Sequence, residues 1–389
     1  MKSVAIIGAS LAGLSAARAL RDQGFDGELT IVGGEALRPY DRPPLSKEFL
    51  AGTVGENDLA LESDDEDLQA TWLLGVHATA LDAAACVVAL DDGTSIHADG
   101  VVVATGARAR SWPGSEHLAG VHVLRTIDDA LALRADLRPG ARLVVIGAGF
   151  IGAEVASTAT KLGLDVTVVE AAPAPLAGPL GERLGAAVAR LHAEHGTRLL
   201  CGIGVAGLTG GDRVTGVLLA DGRSIPADVV LVGIGAVPNV EWLRDGPLEL
   251  ANGVVCDAGG ATAIPNVVAV GDCAAWHEAC LGRPHRVEHW TGALERPAIA
   301  VATLLAGGRH HGAPAKPPYF WSDQYGCRIQ FAGIARPDDQ LTFEVGDLHE
   351  ASFLVVYRRD DQPVAVLGVN QPKLFTRWRR QLGSVPAAS

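Results

Sequence analysis

Two glycine-rich turns constrain this chain more than any other feature, because each lies between a strand-like run and a helix-like run. The first is Gly8-Ala9-Ser10-Leu11-Ala12-Gly13, after KSVAII, and the second is Gly147-Ala148-Gly149-Phe150-Ile151-Gly152, after RLVVI. In such a turn the first glycine permits a sharp exit from the strand, the second admits a pyrophosphate, and the third lets the helix pack closely. The pyrophosphate meets the unpaired N–H groups of the helix N-terminus. Two turns predict two dinucleotides, and therefore an oxidoreductase.

The context of both turns supports this interpretation. GLSAARALRDQG and GAEVASTATKLG have helical spacing and end on glycine, and the apolar runs ELTIVG and DVTVVE follow them. In the second copy Glu170 ends the strand, where a carboxylate binds a ribose diol and repels a 2′-phosphate. This predicts NADH rather than NADPH. In the first copy Ser10 replaces the second glycine, and Glu35 is the best candidate for the ribose acid, with its register left open.

Composition excludes several other classes of protein. The chain has 389 residues, enough for two or three domains, and 48% of them are hydrophobic. The net charge of −13 argues against a nucleic-acid partner, which favours a basic face. No run of 18 apolar residues marks a membrane span, and the first strand begins too close to Met1 for a signal peptide. These observations predict a soluble, cytoplasmic protein.

The cysteines argue against disulfide chemistry. Their six positions, 86, 201, 256, 273, 280 and 327, contain no Cys-x-x-Cys pair and no zinc-like set, so no metal site is expected. We expect them to be buried small hydrophobic residues.

Several longer segments identify a family. They are RPYDRPPLSKEFL at 38–50, LRTIDDA at 124–130, the second glycine turn with Glu154, VGDCA, RVEHW and YFWSDQYG. Over almost its full length the chain resembles the NADH-dependent ferredoxin reductases of oxygenase systems, which are glutathione-reductase-like flavoproteins with two dinucleotide sites. The segments YDRPPLSK and FWSDQ are specific to this group, whereas the glycine turns alone are not.

The resemblance implies an α/β fold with two interleaved Rossmann-like dinucleotide-binding domains and a C-terminal α+β domain. The segments VVVATGA and VLVGIGA are similar, which indicates that the two units are duplicates with the same arrangement. Residues 1–108 and 237–316 are expected to form a discontinuous FAD-binding domain, and residues 109–236 the NADH-binding domain. Residues 317–389 would cover the flavin and contribute to ferredoxin docking, after a proline-rich linker near 313–318.

The resemblance also implies roles for individual residues. Lys47, Glu154, Trp290 and Trp321 would serve catalysis: Lys47 would reach the isoalloxazine, Glu154 would face the nicotinamide, and the two tryptophans would border the flavin ring. Other side chains would bind FAD, namely Arg42 and Arg125, Thr79 by the adenine, and Asp272 on the ribityl chain. The remaining expected cofactor contacts are Gly8, Ala12, Gly13, Glu35, Ala104, Thr105, Gly106 and Gly271 for FAD, and Gly147, Gly149, Ile151, Gly152, Glu170 and Gly235 for NAD.

Structural roles remain the alternative for the side chains. Trp290 and Trp321 could belong to the core, Arg42 and Lys47 to a solvated loop, and Glu154 to an exposed helix face. Asp272 is harder to assign to structure alone, because it follows a glycine at the end of an apolar strand.

The chain departs from the family at three places. Gly34 stands where the family usually has an acid, which is why Glu35 is the candidate for the ribose contact. The arginines expected after Glu170 are missing from AAPAPLAG, so weaker NADH binding is expected. Gly292 replaces an asparagine and Arg296-Pro297 follow, so packing on the flavin side could differ.

Three functions are compatible with the sequence. The first is a reductase that feeds a small [2Fe–2S] ferredoxin, which supplies an oxygenase that this chain does not contact. The second is an NADH oxidase or diaphorase that uses oxygen or a quinone, and the third is a non-catalytic nucleotide sensor. YFWSDQYG and the missing cysteine pair favour the first. Basic residues late in the chain would attract an acidic ferredoxin: Arg283, Arg286, Arg296, Arg309, Arg377, Arg379 and Arg380.

Overall fold

The computed structural model describes residues 1–308 and 316–382. Its helices, numbered along the chain, are α1 (Leu11–Asp22), α2 (Glu48–Ala51), α3 (Ile127–Asp136), α4 (Phe150–Lys161), α5 (Ala177–Leu180), α6 (Glu182–Glu194), α7 (Trp290–Leu305) and α8 (Pro372–Leu382). Its strands are β1 (Ser3–Ile7), β2 (Glu28–Gly33), β3 (Ala70–Leu74), β4 (Ala78–Asp82), β5 (Val87–Leu90), β6 (Ser95–His97), β7 (Gly100–Val103), β8 (Ala107–Ala109), β9 (Val121–His122), β10 (Arg142–Ile146), β11 (Asp165–Glu170), β12 (Arg198–Cys201), β13 (Val205–Gly210), β14 (Val214–Leu219), β15 (Ser224–Pro226), β16 (Val229–Val232), β17 (Ala236–Pro238), β18 (Val254–Cys256), β19 (Val267–Ala269), β20 (Ala274–Glu278), β21 (Arg283–Arg286), β22 (Tyr319–Gln324), β23 (Cys327–Gly333), β24 (Gln340–Val345), β25 (Phe353–Arg359) and β26 (Gln362–Val369).

A first parallel sheet is built from two distant stretches of sequence. Its strand order is β19-β7-β1-β2-β3, and each neighbouring pair runs parallel. Ile6, Ile31 and Val102 are fully buried in it, as expected for strands covered on both faces. Because the carboxyl ends of parallel strands meet at one edge, the turns after β1, β7 and β19 lie together.

A second parallel sheet repeats this plan. Its order is β12-β11-β10-β16-β9, so that β16-β10-β11-β12 corresponds to β7-β1-β2-β3 of the first sheet. The predicted duplication is therefore present in the strand order. Strands β8 and β17 pair antiparallel, and the bounds expected for the NADH-binding domain, residues 109 and 236, fall in these two strands.

Residues 319–369 form an antiparallel sheet with the strand order β22-β23-β26-β25-β24. One face packs against α8, where Phe375 is 1% exposed. The other face packs against α6. Leu184 and Val188 of α6 belong to the same hydrophobic cluster as Phe331 and Leu367 of the sheet. The predicted α/β class with a C-terminal α+β domain is confirmed.

No helix in the two described ranges is long and apolar enough to cross a membrane. Residues 316–318 of the predicted linker precede β22 and belong to no helix or strand, while 313–315 lie outside the described residues.

Candidate flavin and nicotinamide sites

The first glycine turn brings three pieces of backbone into close contact. A Cβ on Gly8, whose φ is +128°, would lie 2.0 Å from the carbonyl oxygen of Ala104. A Cβ on Gly13 would lie 1.8 Å from the Gly8 carbonyl oxygen, so α1 packs on the turn only with glycine there. A Cβ on Gly271 would lie 2.8 Å from that of Ala12. The predicted backbone contacts after β1, β7 and β19 therefore form one surface.

The second turn has the same close packing and an open side. A Cβ on Gly147 would lie 2.3 Å from the carbonyl oxygen of Gly233, and one on Gly152 would lie 2.2 Å from that of Gly147. Around Gly149, by contrast, a Cβ would meet nothing within 4 Å. Ile151, in the first turn of α4, is 45% exposed. The middle of this turn therefore leaves its backbone accessible to a ligand.

Glu35 lies in a hydrogen-bonded cluster with Tyr40 and Arg42. The Arg42 guanidinium donates to Glu35 Oε1 (2.5 Å), to the carbonyl oxygen of Arg125 (2.7 Å) and to Ser10 Oγ (3.3 Å). The Tyr40 hydroxyl donates to Glu35 Oε2 (2.5 Å). Arg42 thus joins the candidate ribose acid to the first glycine turn, and it is not a solvated loop residue.

Thr79 is exposed in β4, at a point where the pairing with β5 is irregular. The β3–β4 turn before it is tied to the Glu35 segment, since Gly75 N–H donates to the Glu35 carbonyl oxygen (3.1 Å). The His77 ring lies against Gly34, within 2.5 Å of where a Cβ would be. A glycine instead of the usual acid at 34 therefore makes room for this histidine.

Glu170 ends β11 beside the second turn. Its Oε2 accepts from Ala148 N–H and its Oε1 from Ala172 N–H, each at 2.8 Å. These two backbone bonds orient the carboxylate next to Gly147 and Gly149, where the predicted ribose contact requires it.

Asp272 is held by two arginines. Arg125 donates to its Oδ2 at 2.6 Å, and Arg286 donates to its carbonyl oxygen at 3.1 Å. The Asp272 side chain is only 13% exposed. The carbonyl oxygen of Arg125 also accepts a hydrogen bond from Arg42, so Arg125 connects Asp272 to the Glu35 cluster.

Thr105, Gly106 and Gly235 belong to the connections between the two units. Thr105 Oγ1 donates to the carbonyl oxygen of Asn239 (2.6 Å), and Asn239 donates back to that of Thr105 (3.0 Å). Gly235 has a φ of +96° and open space around its Cβ position. Asn239 was not singled out in the sequence, yet it holds the turn after β7.

Glu154 is the most constrained ionisable residue of the candidate site. It is 3% exposed, so it is not on a solvated helix face. Its Oε2 accepts from Lys47 Nζ (2.6 Å) and Ser46 Oγ (2.5 Å), and its Oε1 accepts from Ser322 Oγ (2.6 Å). The carboxylate therefore joins α4 to the YDRPPLSK segment and to the C-terminal sheet.

The two predicted tryptophans contact each other. Their ring centroids are 5.8 Å apart in an edge-to-face arrangement. Trp290 Nε1 donates to Asp41 Oδ1 (2.7 Å), and the ring of Trp321 stacks on that of Tyr319 at 6.0 Å. Both tryptophans are only partly buried, which distinguishes them from core residues such as Trp276.

Sequence reasoning missed Ser46, Ser322, Asp41 and His289 as members of the site. Each lies inside a segment that had been singled out, next to a residue that was predicted. Burial raises the pKa of Asp41, an effect opposed by the hydrogen bond from Trp290. Burial lowers the pKa of His289 to about 4, so this ring is neutral at physiological pH.

The predicted basic rim is wrong for Arg296. Its side chain is 8% exposed, pairs with Glu278 and lies 5.0 Å from the Trp276 ring, so its charge is neutralised by a partly buried acid. Arg286 is similarly enclosed, pairing with Glu288. Arg283, Arg377 and Arg380 are exposed, whereas Arg309 lies outside the described residues.

The six cysteines, all within the described residues, are free thiols. Cys86, Cys256 and Cys273 are buried as predicted, and Cys201 and Cys327 are partly buried. The prediction is wrong for Cys280, which is exposed between β20 and β21. Among the described residues no cluster of His, Cys, Asp and Glu could hold a metal ion.

These residues fit two dinucleotides. Each glycine turn precedes a helix of 12 residues whose N-terminal N–H groups are available to a pyrophosphate. Near Asp272, the buried Arg286 Nε and His289 Nδ1 find no partner among the described residues. Buried polar atoms without partners are rare, and a polar cofactor would supply them. FAD would be held by the first turn, Arg42, Arg125 and Asp272, and NAD by the second turn and Glu170.

Comparison with known proteins agrees with this geometry. Residues 2–296 match the family described as pyridine nucleotide-disulphide oxidoreductase, and residues 319–386 match the family described as reductase C-terminal.

Two relatives cover nearly the whole chain. The ferredoxin reductase component of chlorobenzene dioxygenase from Cupriavidus sp. (strain PS12) is 41% identical over 380 residues, 97% of this chain and 91% of the relative. Rhodocoxin reductase from Rhodococcus erythropolis is 38% identical over 386 residues, 98% of this chain and 90% of the relative.

A solved structure, that of the covalent putidaredoxin reductase–putidaredoxin complex, superposes with a TM-score of 0.93 at 34% identity, and it covers all of this chain and 94% of the other. The chain therefore belongs to the pyridine nucleotide-disulphide oxidoreductase family, in the branch that includes the ferredoxin reductase components of oxygenase systems.

Proposed function

We propose that this chain transfers electrons from NADH, through FAD, to a small [2Fe–2S] ferredoxin that supplies a haem monooxygenase or a Rieske dioxygenase. In this proposal residues 1–108 and 237–316 hold FAD, residues 109–236 hold NADH, and residues 317–389 cover the flavin. We place the reaction in the cytoplasm, and we expect the oxygenase to meet the ferredoxin rather than this chain.

When bound, FAD accepts a hydride from the nicotinamide and passes electrons on singly. The residues of the chain supply position and charge. Lys47 would place an ammonium beside the flavin, and Glu154 would face the nicotinamide while balancing that ammonium. Trp290 and Trp321 would cover the ring edge, and Asp41 fixes the indole of Trp290. No general acid or base is needed for these steps.

Two arginines beside the aromatic rings of Tyr319 and Trp321 are the observation that favours a ferredoxin as the acceptor. The Arg379 guanidinium lies 4.1 Å from the centre of the Tyr319 ring, and that of Arg328 lies 5.9 Å from the Trp321 ring. Because Tyr319 and Trp321 stack and Trp321 contacts Trp290, these arginines border one aromatic surface. Positive charge around this surface would steer an acidic ferredoxin to it, although the net charge of the chain is −13.

Stopped-flow kinetics test this proposal with a ferredoxin from the same genome. Charges at the rim of an interface act mainly on the association rate and are screened by salt. Raising the salt concentration should slow ferredoxin reduction by about tenfold, while the rate of flavin reduction by NADH stays nearly constant. Arg379→Gln should slow ferredoxin reduction in the same way. Arg223→Gln, which removes an exposed arginine paired with Asp221, is the matched control and should change neither rate.

Oxygen and a quinone serve as alternative acceptors in the same experiment. If either is reduced as fast as every ferredoxin tried, the oxidase or diaphorase function replaces this proposal.

A further inference from the structure

The hairpin between β22 and β23 places a tyrosine in an unusual backbone conformation. Gln324 pairs with Cys327, so Tyr325 and Gly326 form a two-residue turn. Their φ values are +52° and +78°. Positive φ is common for glycine but rare for a bulky aromatic residue, which persists there only when surrounding contacts hold it.

Tyr325 has such contacts, and they all come from the second dinucleotide unit. Its backbone N–H donates to Ser157 Oγ on α4 at 2.7 Å. Its hydroxyl donates to Thr197 Oγ1 at 2.9 Å, and its ring stacks on that of His195 at 4.8 Å. Tyr325 is buried, and no contact in this set belongs to its own sheet.

These contacts continue into a directed chain of hydrogen bonds. His192 Nδ1 lies 2.9 Å from the Tyr325 hydroxyl. Since that hydroxyl gives its hydrogen to Thr197, Nδ1 of His192 carries the proton and donates. Thr197 lies 2.9 Å from Thr160 Oγ1, which donates to the carbonyl oxygen of Ala156 (2.8 Å). Every hydroxyl in the chain both donates and accepts, which gives a buried network its rigidity.

The same hairpin and the same helix meet a second time at Glu154. Ser322 lies three residues before Tyr325, and Glu154 lies three residues before Ser157, on the same face of α4. Ser322 Oγ donates to Glu154 Oε1 at 2.6 Å, and Gln324 Nε2 donates to Ser322 Oγ at 3.0 Å. The turn is therefore attached at Ser157, and the strand next to it supplies a ligand to Glu154.

We propose that Tyr325 is a positioning residue for Glu154: by fixing the β22–β23 turn on α4 and Thr197, it holds the Ser322 hydroxyl on the carboxylate. This inference rests on the proposed function, in which Glu154 faces the nicotinamide. Without the anchor, β22 would move relative to α4 and Oε1 would lose its donor. The carboxylate would then accept from Lys47 and Ser46 alone, both through Oε2, and it would no longer be held at both oxygens.

The test is a double-mutant cycle with Tyr325→Phe and Ser322→Ala in the FAD-loaded full chain. The limiting rate of flavin reduction by NADH, the Kd for NAD⁺ by calorimetry and the Tm are measured for each variant. Tyr325→Phe should lower the limiting rate by about tenfold, because small displacements at a reacting centre are costly. The Kd should change by less than about twofold, since Glu170 and the second turn are untouched. In the Ser322→Ala background, Tyr325→Phe should have almost no further effect on the rate.

Tyr357→Phe is the matched control. Tyr357 is also buried in the C-terminal sheet, and its hydroxyl also crosses to the second unit, donating to the carbonyl oxygen of Leu180 at 2.8 Å. It lies on β25, however, separated from β22 by β23 and β26. This variant should lower the Tm while leaving the limiting rate unchanged.

Two results would overturn the inference: equal losses of rate in Tyr325→Phe and Tyr357→Phe, or an undiminished effect of Tyr325→Phe in the Ser322→Ala background. Both are separable from failure of the proposed function, because the cycle uses no ferredoxin. If NADH failed to reduce the flavin of the wild-type protein, that result would contradict the proposed function instead.

Discussion

Lys47 Nζ lies 2.6 Å from Oε2 of Glu154, in a site where the two side chains are 13% and 3% exposed. The pair joins two segments that are 107 residues apart in the chain. A charge with so little solvent around it acts strongly on its neighbours. In the proposed function, where Lys47 lies beside the flavin, the carboxylate would therefore set how much of the Lys47 charge the flavin experiences.

Glu154→Gln tests this balance. The amide has the same shape without the charge, so the Lys47 ammonium is no longer neutralised, and its field favours the reduced, more negative flavin. We expect the midpoint potential of bound FAD to rise by about 30 mV, equivalent to about 1.4 kcal/mol for two electrons. Spectroelectrochemical titration measures it. Glu241→Gln breaks an exposed pair with Arg108 and should leave the potential unchanged; an unchanged potential in Glu154→Gln itself would show that Lys47 does not act on the flavin.

Asp272→Ala addresses retention of FAD. The carboxylate is mostly buried and bonded to Arg125, so its removal leaves Arg125 unpaired. In the proposed function it would also take a charged acceptor from the ribityl chain. Weaker FAD binding by about 1.5–3 kcal/mol is expected, as for hydrogen bonds to charged groups. Flavin fluorescence on dilution gives the Kd. Asp228→Ala, which removes the exposed partner of Arg142, should retain FAD normally. A colourless, folded wild-type protein that takes up no flavin would contradict the whole assignment.

The parts of this candidate site that depend on local patterns could be predicted from the sequence. The glycine turns, the strands around them and Glu170 follow from short-range rules. Lys47 and Glu154 were each predicted, but not as a pair, since their contact depends on how two units and the C-terminal sheet pack. Ser46 and Ser322 were missed for the same reason. Arg296 was misassigned to the surface because nothing near it in the sequence indicates its pairing with the partly buried Glu278.

Glu170 should determine the choice between NADH and NADPH. Its carboxylate is oriented by the N–H groups of Ala148 and Ala172. It should repel a 2′-phosphate and make NADH at least tenfold better in kcat/KM, about 1.4 kcal/mol. Glu170→Arg should narrow or reverse that ratio, and Asp212→Arg, a charge change at an exposed loop of the same unit, should not. Equal kcat/KM for the two donors in the wild type would show that Glu170 does not face the ribose.

Cysteine should have no redox role, although the family is named for disulphide chemistry. Burial raises the pKa of Cys256 and Cys273, so both remain thiols, and the thiolate is the reactive form. A variant with alanine at positions 86, 256 and 273 and serine at 201, 280 and 327 should lose some stability. Its flavin should still be reduced by NADH within about twofold of the wild-type rate. A folded variant that NADH cannot reduce would instead indicate a disulfide mechanism.

His192 should make the folded protein less stable in mild acid. Burial lowers the pKa of this ring from 6.5 to about 4, and the residue is 2% exposed. Well above pH 6.5 His192 is neutral in both the folded and the unfolded state, so its titration does not change the free energy of unfolding there. As the pH falls below 6.5 the unfolded chain gains the proton first, so the free energy of unfolding decreases until about pH 4. The loss from this one group is about 3 kcal/mol at most.

His192→Asn keeps a donor toward the Tyr325 hydroxyl but cannot titrate, so it should be less stable at pH 7 and show a flatter decline between pH 6.5 and 4. His117→Gln, at an exposed position, should leave the slope unchanged. Urea unfolding at a series of pH values measures these slopes, and parallel wild-type and His192→Asn curves would show that folding does not lower the pKa of His192.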